Sequence, residues 1–229
     1  MVPNRARPFL AAFLAAGLMA AAIAASAPSS AAGLAAGGPG KSPSLFGTRE
    51  TRSASIAMFP KWNGLLARYF SERRLAEEPC TATAFNRCHL REWAGFLEEI
   101  RDRGRREQVE AVNAYMNRQP YLTDPRNYGV SDYWATPVQF FARDGDCEDY
   151  AIAKFLSLRA LGFDNDMLRV VVVQDMNLRV GHAILVVYLD GEPLVLDNQI
   201  RRTVRAGAVH HYQPIYSINE KHWWLHQRG

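Results

Sequence analysis

Apolar residues change their spacing at Gly162, from a helical repeat before it to a strand repeat after it. Upstream, Trp93, Phe96, Leu97 and Ile100 share one helical face, and Val109, Val112, Tyr115 and Met116 share another beyond the Arg103-Gly104 break. Pro120, Asp124-Pro125 and Gly129 mark loops, and Pro137 opens a short helix through Phe141. The next helix starts at the Cys147 segment, where Ile152, Phe155, Leu156 and Arg159 keep a helical spacing as far as the Gly162 stop. Downstream, Leu168–Val173 and His182–Leu189 are β-branched and apolar, Asp190-Gly191 reads as a two-residue hairpin turn, and Leu194–Asp197 returns from it. Helices first and antiparallel strands after predict an α+β fold, with the Cys147 helix central and packed on the sheet.

The chain begins with Arg5 and Arg7, continues with an Ala/Leu/Phe-rich run from Phe9 to Ala25, and reaches small residues at Ala25-Ser26-Ala27. That order is the order of a secretory signal peptide, read here as residues 1–27. An uncleaved anchor is the alternative, although the run is short and Ala-heavy for a span of about 20 apolar residues. Residues 28–44, rich in Ala, Gly, Ser and Pro, read as a flexible leader, and residues 45–229 as one domain. The mature chain is therefore expected to be soluble and exported. The full chain carries a net charge of +4. Losing Arg5 and Arg7 with the signal leaves it milder still, and no Lys/Arg-rich block argues for nucleic acid.

Three cysteines are an odd number for an oxidising compartment. Cys80 and Cys88 lie close together in a polar stretch and form the natural pair, which leaves Cys147 over. A buried inert thiol is the plain alternative, but Asp144, Asp146, Glu148 and Asp149 around Cys147 do not look like an apolar core. A nucleophilic thiol needs a positive influence and a base. The helix N-terminus supplies part of the first, and histidine is the usual base.

Hairpin geometry singles out His182. With Asp190-Gly191 as the turn, Leu189 faces Glu192, Ile184 faces Asp197 and His182 faces Gln199. Asp197 then projects on the same side as His182, diagonally across the ladder at about 7–8 Å between Cβ atoms, within reach of a carboxylate–imidazole hydrogen bond. A Cys147–His182–Asp197 triad follows, with Asp197 orienting the ring. A three-residue loop would turn Asp197 to the other face. His210 and His211 read as solvated, and Trp223-Trp224 as packed on the core.

The carboxylates have a structural explanation in part, with Asp146 as N-cap and Glu148 and Asp149 favoured by the helix dipole. Their clustering around a thiol that must ionise points to a bound hard cation, and Ca²⁺ accepts such an oxygen shell. The spacing is not that of an EF-hand.

At these residues the chain resembles the bacterial transglutaminase-like cysteine proteases, the LapG-type periplasmic enzymes. The resemblance is carried by Trp134-Ala-Thr-Pro137, Gly145-Asp-Cys-Glu-Asp-Tyr-Ala-Ile-Ala-Lys154, Gly181-His182-Ala183 and Leu194-Val-Leu-Asp-Asn198. It implies a papain-like, transglutaminase-type fold with Cys147, His182 and Asp197 as the triad. It also implies a periplasmic location and calcium dependence through Asp146 and Glu148, with Asp149 as a further candidate ligand. The substrate implied is the N-terminal region of a large surface adhesin, cut at a di-alanine site, and the partner implied is an inhibitory inner-membrane receptor that senses cyclic di-GMP.

Cleavage would start with attack by Cys147, and the backbone N–H of Cys147 is one expected oxyanion donor, with a second from Trp134 or Gln139. The same acyl-enzyme could instead end in transamidation or deamidation. A calcium-responsive binding module with a vestigial triad is the non-enzymatic alternative.

Overall fold

The computed structural model describes residues 44–73 and 87–228. The expected signal peptide, almost all of the leader, and Cys80 with its expected link to Cys88 lie outside the described residues. Among those described are six α-helices and a seven-stranded antiparallel sheet of order β1-β7-β6-β2-β3-β4-β5, the α+β architecture read from the change of period.

Five helices lead up to the Cys147 helix or build the layer around it. They are α1 (Pro60–Glu72), α2 (Arg87–Ile100), α3 (Arg105–Met116), the single turn α4 (Asp124–Asn127) and α5 (Pro137–Arg143). Pro sits in the first turn of α1 and of α5, where the missing N–H is not needed. Thr136 caps α5, accepting the Gln139 N–H while the Gln139 side chain takes the Thr136 N–H at 3.0 Å. The helix α6 (Cys147–Ala160) then runs through the core, buried without interruption from Asp149 to Leu158. Over that stretch the helix has no solvent-facing side, so Asp149, Lys154 and Ser157 are buried along with its apolar residues.

The sheet comprises β1 (Arg49–Ser53), β2 (Leu168–Asp175), β3 (Val180–Leu189), β4 (Glu192–Leu196), β5 (Val204–Arg205), β6 (Tyr212–Ile218) and β7 (Trp223–Gln227). Leu168, Val170, Leu185, Val187, Leu194 and Leu196 face the helices and join one core with Trp62, Phe140, Ile152 and Phe155. The alternate residues Val171, Val173, Ile184, Val186 and Val195 fill a second core on the far face, with Leu45, Val209 and Tyr212. Burial on both faces explains why these strands read as unbroken apolar runs.

Four strands escaped the sequence reading: β1, β5, β6 and β7. The segments of β1 and β5 are polar and short, and Pro214 interrupts β6, so none carries a clean alternation. Helix α1 was likewise unread. Trp223 and Trp224 do pack on the core, and Arg169, paired with Glu50 at 2.7 Å, lies over the Trp224 ring at 3.8 Å. No helix among the described residues is long and apolar enough to cross a membrane.

Candidate active site

The strand pair β3–β4 has the register that a two-residue turn demands, Leu189 opposite Glu192 and Leu185 opposite Leu196. Continued one step, it puts Asp197 beside β3 on the face of His182. His182 Nε2 lies 2.9 Å from Asp197 Oδ1, with both side chains buried. Asp197 also accepts the Gln199 N–H at 2.9 Å on Oδ1 and the Tyr212 hydroxyl at 2.6 Å on Oδ2. Burial alone would raise its pKa. The His182 hydrogen bond and charge, with the Tyr212 and Gln199 donors, outweigh burial and hold the carboxyl below its ordinary value. The Gln199 amide Nε2 stands 3.5 Å from His182 Nδ1. With Asp197 ionised, Nε2 is the nitrogen that donates to it, and in the neutral ring Nδ1 is then the acceptor.

Cys147 is the first residue of α6, half-buried and free, with Asp146 as N-cap. The backbone arrives through Asp144 in the left-handed region, φ 61°, and then Gly145. Gly145 O accepts the Leu122 N–H at 2.9 Å, and Tyr121 pairs with Gly145 in a parallel bridge. A Cβ on Gly145 would fall within 2.7 Å of Asp149 Cβ and closer still to Asp149 Oδ2, so only glycine fits between the loop and the helix.

The thiol donates to Glu148 Oε2 at 3.2 Å rather than to His182, and the Ala183 N–H reaches the sulfur from β3. Burial, the Glu148 charge and hydrogen bond, and the Asp146 charge all push the thiol pKa up, with only the Ala183 N–H acting the other way.

The acidic residues are individually placed. Asp149 is buried and accepts the Ala135 N–H at 2.7 Å and the Asp146 N–H at 3.2 Å, tying α6 to the loop ahead of α5. Asp146 Oδ2 accepts the Asp124 N–H at 3.2 Å, and Asp124 Oδ2 accepts the Tyr133 N–H. Oxygens of Asp124, Asp146 and Asp149 come within 4.8 Å of one another, as do those of Asp124, Asp132 and Glu148. Burial, with the hydrogen bond and charge of Asp146, raises Glu148 to about 9. Asp124 Oδ1 and Asp146 Oδ1 are buried with no hydrogen-bond partner. Orphaned carboxylate oxygens in a set of mutually repelling oxygen donors fit a hard divalent cation such as Ca²⁺. Asp124 joins the set by position, whereas in the sequence it read only as a loop marker; its Asp-Pro context gave no other signal.

Trp134 and Gln139 are the two candidates for a second oxyanion donor. Gln139 is committed elsewhere: its carbonyl caps α5 and its Nε2 donates to the Tyr133 hydroxyl at 2.9 Å. Trp134 sits in a segment clamped from α1, where Arg68 Nη2 donates to the Trp134 carbonyl at 2.6 Å and lies over the Tyr133 ring at 5.0 Å.

With this geometry in view, the comparisons with known proteins become specific. Residues 78–227 match the family model of the bacterial transglutaminase-like cysteine proteinases, BTLCP. The chain belongs to that family. It is a transglutaminase-like cysteine proteinase, and the fold agrees. LapG of Legionella pneumophila, solved both calcium-bound and after EGTA treatment, superposes with a TM-score of 0.59 at 31% identity, covering 69% of this chain and 87% of LapG in the calcium-bound form. No curated protein sequence matches the chain. For a BTLCP proteinase, the residues around the site that the sequence leaves unmarked are Asp124, Tyr212 and Arg68. Each acts through a contact made across the fold, to which local pattern is blind.

Proposed function

We propose that this LapG-type proteinase cuts peptide bonds with Cys147 as nucleophile, His182 as base and acid, and Asp197 as the orienting carboxylate. The observation that carries the reading is the His182 Nε2–Asp197 Oδ1 hydrogen bond of 2.9 Å, formed beside a free thiol at a helix N-terminus. It leaves Nδ1 as the only ring atom able to accept the thiol proton. For the proton to pass, the sulfur must turn from Glu148 to that nitrogen; such contacts commonly tighten only when substrate binds.

The proton moves from Sγ to Nδ1, and the sulfur lone pair forms the S–C bond to the scissile carbonyl as its π electrons pass to oxygen. The oxyanion is met by the Cys147 N–H at the start of α6, and Trp134 is the better placed of the two remaining donor candidates because Gln139 is engaged in the α5 cap. Collapse breaks the C–N bond, and His182 returns its proton to the leaving amine. Water, deprotonated by the same ring, then hydrolyses the thioester and regenerates the thiol. A Cys147→Ala chain should fold and leave its substrate uncut; unchanged cleavage would sink the mechanism.

The same reading gives Asp146 and Glu148 the role of calcium ligands, with Asp149 and Asp124 completing the oxygen set. Bound there, a Ca²⁺ would offset the carboxylate field that holds the thiol protonated. Family resemblance further suggests a periplasmic protein exported by residues 1–27. Its substrate would be the N-terminal region of a large surface adhesin, and its inhibitor an inner-membrane cyclic di-GMP receptor. Mass spectrometry of the products of an adhesin fragment tests this directly: a chain cut at a single site is expected, and a cross-link or a one-dalton shift would point to acyl transfer instead.

A further inference from the structure

Helix α3 and the loop that leaves Asp197 enclose a cavity for which the reaction above has no use. Glu110, Asn113 and Asn117 lie along one face of α3 and its C-cap, at the i, i+3, i+7 spacing that aligns successive turns. Each of them holds the loop. Asn117 Nδ2 donates to the Asp197 carbonyl at 2.8 Å, Asn113 Nδ2 donates to the Arg201 carbonyl at 3.4 Å, and Glu110 Oε1 accepts the Thr203 hydroxyl at 2.7 Å. These three residues, with Arg118, Arg201 and Arg202, line a concave space of about 610 Å³.

The charge around that space is unbalanced. Arg118, Arg201 and Arg202 are exposed, and none forms an ion pair or a side-chain hydrogen bond among the described residues. Glu110 does not answer them, because its carboxylate is engaged by Thr203 and lies 3.6 Å from Arg106 Nε on its own helix. The last carbonyls of α3 carry a partial negative charge of about half a unit, too little to balance three guanidiniums. Basic residues scattered over a solvated face would need no explanation. Three around one hollow repel one another, and its low-dielectric walls concentrate their field. The guanidinium fork matches a carboxylate in geometry as well as in charge.

The cavity adjoins the triad along two paths of the chain. Gln199, whose Nε2 stands 3.5 Å from His182 Nδ1, is followed two residues later by Arg201. Their Cα atoms are therefore no more than about 7.6 Å apart, at 3.8 Å per residue. On the other path, Arg118 precedes Tyr121 by three residues, and Tyr121 pairs with Gly145 just ahead of Cys147. A peptide lying over the thiol and the ring has its next residues within reach of the arginines.

We propose that this cavity is a substrate subsite for an acidic side chain, aspartate or glutamate, a few residues from the scissile bond. The inference rests on the proteinase reading and adds a substrate class to it, a segment that carries carboxylates beside the cut. Arg201 and Arg202 meet the carboxylate from the Asp197 side, and Arg118 meets it from the end of α3.

The test uses the full chain in saturating calcium and two reagents, an iodoacetylated tetraglutamate peptide with a Gly-Gly spacer and its tetraglutamine counterpart. The rate of Cys147 alkylation by each is followed by mass spectrometry. The carboxylates around Cys147 would by themselves slow the acidic reagent. The expected result is the reverse, alkylation about fivefold or more faster by tetraglutamate, on the scale of two or three exposed guanidinium–carboxylate pairs. That advantage should vanish in Arg201→Gln/Arg202→Gln and persist in Arg101→Gln/Arg103→Gln, which removes the same charge beyond the end of α2. No advantage in the unaltered chain, an advantage retained in Arg201→Gln/Arg202→Gln, or one lost equally in both double variants would overturn the proposal. Should the first variant misfold, Arg118→Gln is read in the same way. The ratio is taken within each protein and so stands apart from the triad. Equal alkylation by tetraglutamine in the unaltered chain and in His182→Ala would overturn the triad. Slowed alkylation in His182→Ala, with no acidic advantage in the unaltered chain, would overturn only the subsite.

Discussion

His182 and Asp197 are fifteen residues apart in the chain yet 2.9 Å apart across the β3–β4 ladder, because the Asp190-Gly191 turn fixes a register that turns both to one face. Both turn residues have positive φ, 52° and 80°, the twist that two-residue hairpins favour. Replacing Asp197 with Asn keeps an oxygen for the Nε2–H and the Gln199 N–H but removes the charge that favours imidazolium. Cleavage should fall by about a hundredfold or more with the fold intact by circular dichroism. Tyr212→Phe, which loses one 2.6 Å donor to Asp197, should lower activity by about tenfold, the low end of what a single hydrogen bond to a charged group contributes.

The depressed pKa of Asp197 fixes the sign of an acid effect on stability. An unfolded aspartate titrates near 3.9; the folded carboxyl holds its charge to lower pH. The contribution is present above about pH 4 and is lost as pH falls through the folded value. Thermal melts from pH 6 to pH 3 should show a steeper acid loss in the unaltered chain than in Asp197→Asn. Parallel curves would mean that the carboxylate network adds nothing to stability.

The hairpin and the helix that frame the site were legible because each rests on a local signal: a two-residue turn, an apolar run, an N-cap. His182 and Asp197 could be named together since a ladder converts spacing into proximity. Asp124 could not, because it reaches the acidic cluster through a loop whose path is set by Asp149 holding Ala135 and Asp146 holding Asp124. Arg68 was hidden for the same reason, lying in a helix that meets the site only through packing. Strands β6 and β7 are defined by neighbours distant in sequence, and β6 contains a proline that speaks against a strand.

Gly145 is the tightest point in the loop. Gly145→Ala should displace Asp149 and with it the Cys147 turn, destabilising the fold by about 1–3 kcal/mol as overpacking does and reducing thiol labelling. Measured Tm and labelling rate should fall together. A fully active alanine variant would show that the loop yields without moving the nucleophile.

Arg68 clamps the Trp134 carbonyl from α1. Arg68→Met keeps the stem and removes the donor. Loss of a charged hydrogen bond of this kind costs about 1.5–3 kcal/mol, and the expected readout is a kcat/KM lowered about tenfold or more. An unaltered kcat/KM would leave the clamp a purely structural contact.

Removing calcium with a chelator should slow labelling of Cys147 and lower Tm, since the acidic cluster would then lose the cation that offsets its charge beside the thiolate. Asp146→Asn should show the slow rate whether or not calcium is added. Labelling that ignores calcium in the unaltered chain would remove the metal from this account.

The central claim is that His182 takes the proton of Cys147. The rate of iodoacetamide alkylation of Cys147 at pH 7 with saturating calcium, compared between the unaltered chain and His182→Ala, measures it most directly. The predicted result is alkylation slower by about a hundredfold in His182→Ala, as expected when a thiol loses the base that ionises it. Equal rates in the two proteins would contradict it.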